Sequence, residues 1–158
     1  MILFAVLVNV SMYALGATIL SGFGTIAAAL YLLYCLGVEI NVVRKSCVDC
    51  YYYGKWCAFG KGRVAPLLFK QGDGKRFTSR CMSWKELAPD MLVPLFPLIG
   101  GIALLIISFS WSIIAMLAAL ATLSFYGNYI VRSKIACKYC KQREIGCPAE
   151  RFFNKKLT

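Results

Sequence analysis

Residues 1–43 read MILFAVLVNVSMYALGATILSGFGTIAAALYLLYCLGVEINVV, with Glu39 as the single charged side chain. About 20 apolar residues are enough to cross the hydrocarbon core of a bilayer, and this stretch is twice that. As one helix it would run to about 60 Å at 1.5 Å per residue, longer than an ordinary bilayer is thick. The chain must therefore turn within it. Ser21-Gly22-Phe23-Gly24-Thr25 supplies two glycines and two hydroxyls, the composition of a helix break, and predicts helices near 2–20 and 25–43.

A second block, residues 91–131, reads MLVPLFPLIGGIALLIISFSWSIIAMLAALATLSFYGNYIV and carries no charge at all. Ser108-Phe109-Ser110-Trp111-Ser112 sets hydroxyls beside an interfacial tryptophan, which predicts helices near 91–108 and 112–132. The whole chain is 59% hydrophobic and 16% charged, where a soluble domain carries about a quarter charged residues. The expected fold is an all-α membrane protein with four transmembrane helices in two tandem helical hairpins. Its segments are a first hairpin at 1–43, a Cys-rich basic loop at 44–90, a second hairpin at 91–132 and a Cys-rich basic tail at 133–158. No Lys or Arg precedes Arg44, so the positive start of a signal peptide is missing.

All 18 Lys and Arg residues fall within 44–90 and 132–158, and the two turns have none. Hairpins place loop and tail on one side, and the positive-inside rule makes that side cytoplasmic, together with the N-terminus. The expected location is an integral, multi-pass membrane protein, in the plasma membrane if the source is prokaryotic. The formal charge of +11 is then a topology signal that also attracts anionic headgroups. It gives nucleic-acid binding no independent support.

The halves look duplicated. Each is a hairpin, a short basic exit (Asn41-Val42-Val43-Arg44-Lys45 and Tyr129-Ile130-Val131-Arg132-Ser133-Lys134), a cysteine triplet and an aromatic-basic stretch. The triplets are Cys47, Cys50, Cys57 and Cys137, Cys140, Cys147, both spaced Cys-x2-Cys-x6-Cys. Hairpins of equal orientation are related by a pseudo-twofold axis along the membrane normal, as in parallel repeats, and such an axis brings the triplets together. The first loop has further content: an apolar run at Val64–Phe69 suited to the interface, a turn at Gln71–Gly74, and a capping box from Ser83 to Glu86. Pro89 is expected before the third helix, with Pro94 and Pro97 in its first turns.

Three thiol chemistries compete. Disulfides need an oxidising compartment, which the topology opposes. Thiol redox work needs a depressed thiolate pKa, which Lys138 and Lys141 would assist at Cys137 and Cys140. Metal binding uses clustered thiolates, commonly zinc in intracellular Cys-x2-Cys pairs. Three cysteines are one ligand short of tetrahedral zinc, but two triplets serve two zincs if two sulfurs bridge. In its cysteine pattern the chain resembles the fungal binuclear zinc-cluster module, over the 22 residues of the two triplets. The resemblance implies that Cys47 and Cys137 bridge the metals. It does not carry the module's transcriptional role, because 79 residues and a membrane hairpin separate the triplets here.

Rival metal readings stay open. Cys81 could complete a four-thiolate site with Cys47, Cys50 and Cys57, and four of the cysteines could hold iron or an iron–sulfur cluster. Histidine is absent, which excludes histidine-ligated haem and histidine acid–base catalysis. Cys35 reads as an ordinary buried thiol. Glu39 is expected to pair with Arg44 or Arg132 at the interface, and Asn9 and Asn41 to bond between helices. Tyr51-Tyr52-Tyr53, Trp56 and Phe59 among Lys55, Lys61 and Arg63 suit an interfacial belt or a phosphate-bearing ligand. The leading expectation is a non-enzymatic scaffold or interaction protein with a zinc-thiolate domain, whose partners are anionic lipid and a protein at the cytoplasmic face. A membrane thiol-redox protein and a small metal-linked transporter are the alternatives.

Overall fold

The computed structural model describes residues 2–79, 84–131, 136 and 138–148, and every regular element among them is helical. Four helices are long and apolar enough to cross a membrane: Ile2–Phe23, Thr25–Cys47, Trp84–Ile107 and Trp111–Ile130. Within them lie α1 (Ile2–Leu20), α2 (Thr25–Val42), α5 (Trp84–Ile107), α6 (Trp111–Thr122) and the short α7 (Asn128–Ile130). The intervening loop holds α3 (Lys61–Leu68) and α4 (Gly74–Ser79), and the tail holds α8 (Lys141–Gly146).

The first turn falls where the sequence placed it. Gly24 takes φ 122° and ψ 159°, a conformation that essentially only glycine tolerates. It ends the 3-10 turn Ser21–Phe23 and starts α2. The second break, at Ser108–Ser110, separates α5 from α6. Helices α1 and α5 form the central pair of the bundle. α2 packs on both of them, and α6 contacts both α1 and α5.

Two expectations change. The third helix begins at Trp84 rather than near 91, so Pro89, Pro94 and Pro97 all lie inside it. Proline has no N–H, so Pro97 leaves the Val93 carbonyl without its helical donor, and in a membrane that carbonyl must find another. The Tyr31 hydroxyl on α2 donates to it at 3.1 Å. Gly16 on α1 makes room for that ring, since a Cβ there would lie 2.5 Å from the Tyr31 hydroxyl oxygen. Tyr34 adds a second tie, donating to the Pro89 carbonyl at 3.0 Å and stacking edge-on against Phe96. Three helices thus meet at one tyrosine. Tyr31→Phe is expected to lower stability by about 1–2 kcal/mol, the cost of a buried acceptor left unpaired. The same change should cost less in a Pro97→Ala background, where the backbone N–H returns. Thermal unfolding of the four proteins in detergent measures the difference.

Asn9 is the other change. Its side-chain amide donates to the Ala5 carbonyl of its own helix at 3.0 Å instead of to a neighbouring helix.

Both outgoing helices loosen before they leave the bundle. Val43–Cys47 and Leu123–Gly127 are π-helical, a form that inserts an extra residue into the turn. The first of these carries the chain helically to Cys47, so the first triplet begins on the spanning helix itself. At this end of the bundle Ala5, Val8, Val131 and Ala136 form a small buried cluster, and Ala58 and Phe59 of the loop pack against it. The loop therefore covers the helix ends and does not hang free of them.

Candidate metal centre

The loop triplet is shaped by local turns. The Cys50 N–H donates to the Cys47 carbonyl at 3.4 Å, and the Gly60 N–H to the Cys57 carbonyl at 2.9 Å. The tail repeats the device, with Arg143 N–H donating to the Cys140 carbonyl at 3.0 Å. Gly60 takes φ 71° and feeds α3, whose Gly62 N–H points at the Cys57 sulfur, 3.3 Å away. Gly62 has no room for a side chain: a Cβ would sit 2.3 Å from the Tyr52 carbonyl oxygen and 2.6 Å from that of Lys55. The closeness of these backbones holds α3 against the cysteine turns.

The tail docks onto the loop through polar contacts. Gln142, buried in an otherwise basic segment, accepts from the Tyr51 N–H at 2.8 Å and from the Cys50 thiol at 3.8 Å. The Lys141 N–H donates to the Tyr52 hydroxyl at 3.1 Å. These bonds bring Cys140 and Cys147 into the neighbourhood of Cys50. Burial pushes the Cys50 thiol above its ordinary range; its bond from the Tyr52 N–H pulls the other way, and nearby Cys140, Cys57 and Cys147 push it further up.

Of the six triplet cysteines, Cys47, Cys50, Cys57, Cys140 and Cys147 are described, all partly buried free thiols. Cys137 lies outside the described residues, as does Cys81. Among the described residues no three cysteines or carboxylates converge tightly enough to hold a metal ion. The described thiols of the two triplets offer sulfur alone, the donor type that structural zinc takes. Cys35 sits apart, in the apolar core with Met12, Ile19 and Tyr31.

Glu39 has a different partner from the one expected. Its carboxylate lies 2.6 Å from the Lys61 ammonium and accepts from the Tyr13 hydroxyl at 2.5 Å. Arg44 takes no part in this pair, and Arg132 lies outside the described residues. Lys61 opens α3, so the pair ties the cysteine-bearing loop to α2. The Ser83 capping box also lies outside the described residues, while Gln71–Gly74 packs beside Asp49, its Gly72 N–H donating to the Val48 carbonyl at 3.2 Å.

A basic, aromatic surface surrounds the junction. Tyr51 and Tyr52 stack edge-on at 5.3 Å, and the ammonium groups of Lys55 and Lys141 approach the Tyr51 ring at 4.3 and 5.7 Å. Lys141 and Gln142 were missed as joining residues because neither a motif nor periodicity marks them. A buried glutamine in a basic stretch is visible only once the fold is known. Comparison with protein-family models, curated proteins and solved structures finds no match to this chain.

Proposed function

We propose that the chain is an integral membrane protein in which a shared zinc-thiolate centre clamps the basic loop to the tail beneath two helical hairpins. The clamp presents a basic, aromatic face to a protein partner and performs no reaction of its own. The observation that carries this reading is the docking of the tail on the loop, with Gln142 bonded both to Tyr51, 91 residues away, and to the Cys50 thiol. The central α1–α5 pair, flanked by α2 and α6, is what a pseudo-twofold repeat along the membrane normal would give. On this reading Cys47 and Cys137 bridge two metals, Cys50 and Cys57 complete one, and Cys140 and Cys147 complete the other.

Zinc bound there would supply cross-linking strength and hold the thiols ionised. Burial that raises the Cys50 thiol works against thiol redox chemistry, which needs the reverse shift. The concentration of Lys and Arg at the cysteine-rich end supports a cytoplasmic placement of that end. The test is metal analysis of purified protein beside a Cys→Ser series. Two zinc ions per chain are expected, both lost on replacing Cys47 or Cys137. One zinc that survives removal of the second triplet sinks the shared centre. An iron absorption spectrum would point to another cofactor, and fast alkylation without a chelator to a redox pair.

A further inference from the structure

We propose that α3 is an interfacial membrane anchor, its outward face of Val64, Leu67 and Leu68 lying, with Trp56, among the headgroups and upper acyl chains of the leaflet that borders the cysteine-rich layer. The inference rests on the membrane reading of the four long helices and is independent of the metal. α3 is turned inside out for a helix in water. Its inner face is the small pair Gly62 and Ala65, both buried, while Leu67 is 82% exposed, Leu68 51% and Val64 43%. Trp56 is 63% exposed next to it, with the Arg63 guanidinium 5.8 Å from its ring centroid.

The position of α3 names what covers this face. Lys61, its first residue, pairs with Glu39 at 2.6 Å, and Glu39 lies inside the span Thr25–Cys47. From Glu39 to Cys47 the helix rises about 12 Å at 1.5 Å per residue. α3 also packs along Val43–Cys47, the last turn of that span. A helix fastened at this depth cannot stand off in water below the bilayer; it lies at the boundary where headgroups meet chains. The flanking charges suit the place. Arg63 and Lys70, both exposed, can reach anionic headgroups while their stems cover apolar surface. Tryptophan favours the same zone. Two internal bonds keep the short helix formed there: Tyr53 donates its hydroxyl to the Phe69 carbonyl at 2.8 Å, and the Gly54 N–H donates to the Gly62 carbonyl at 2.9 Å.

The test uses full-length protein in lipid nanodiscs with Trp56, Trp84 and Trp111 changed to Phe and one tryptophan returned. Leu67→Trp reports on α3 and Leu36→Trp, exposed on α2, on the span. Lipids brominated high on the acyl chain are expected to quench most of the Leu67→Trp emission, and lipids brominated near the chain end most of the Leu36→Trp emission. Protein keeping Trp56 as its sole tryptophan should follow Leu67→Trp, which gives a reading with no new side chain. Quenching of Leu67→Trp by aqueous iodide but not by bromolipid would overturn the anchor while leaving the spans intact. Shielding from both quenchers would overturn it in favour of a covering protein. Failure of bromolipid at Leu36 as well would remove the membrane reading and the anchor together.

Discussion

Chelating the proposed zinc from purified protein is expected to free the tail and the Cys47–Cys57 turns at the same chelator concentration. Trypsin should then cut at Lys138, Lys141, Arg143 and Lys55, whose side chains are exposed but whose backbone is held in ordered turns and helix before chelation. The reason lies in the magnitudes. The bonds from Gln142 to Tyr51 and from Lys141 to Tyr52 contribute about 1 kcal/mol each net. Ordering a residue costs about 1–2 kcal/mol in backbone entropy alone, so two such bonds do not hold the tail segment 138–148 in place. A structural zinc site contributes about 10–16 kcal/mol of apparent binding energy, coupled to folding. On the proposed reading, metal decides the outcome. α3 should stay protected through the same treatment, because the Lys61–Glu39 pair ties it to α2 without the thiols. Release of the tail alone, with the loop turns still resistant, would mean that the triplets do not share a centre.

The second large effect is expected from Lys61→Met. Glu39 is about three-quarters buried and sits inside a span. Removing the ammonium leaves its carboxylate with the Tyr13 hydroxyl as its remaining partner in this network. Breaking a buried pair from one side costs about 3–5 kcal/mol, and access to water near the end of the span reduces this to about 2 kcal/mol. Adding Glu39→Gln should recover most of the loss, since the amide carries no charge and can still accept from Tyr13. Unfolding curves in detergent for the single and double variants give the coupling directly. A lysine replacement that costs nothing would show that the pair does not hold α3 in place.

Much of the bundle was legible in the residues because a bilayer imposes a coarse rule. An apolar run twice the needed length has to turn, and Gly24 and Ser108–Ser110 mark the breaks. The start of α5 was not legible. Pro89, Pro94 and Pro97 read locally as the edge of a helix, and the Tyr31 hydroxyl of α2 shows how Pro97 is tolerated inside one. Glu39 announced itself as needing a cation, but the nearest basic residue in sequence, Arg44, is not the one that supplies it. Lys61 reaches it from a loop whose path is set by Gly62 and by the packing of Phe59 at the helix ends. The cysteine spacing names candidate donors; how loop and tail meet depends on side chains such as Gln142, whose role no spacing encodes.

In the fourth span, Trp111–Ile130, 6% of an 18-residue window is buried, against 22–28% in the other three. In a membrane, apolar area alone gives helices no reason to associate with each other instead of with lipid. With fewer of its residues buried, this helix has less packing of its own than the other three to keep it beside α1 and α5. What it does have is a tail that docks on the loop. Fastening that tail confines the helix to the neighbourhood of its partners, so that weak lateral contacts act at high effective concentration. The cysteine-rich layer would then act like a drawstring at one end of the bundle. Changes in bilayer thickness or detergent should disturb the fourth helix first once that drawstring is undone.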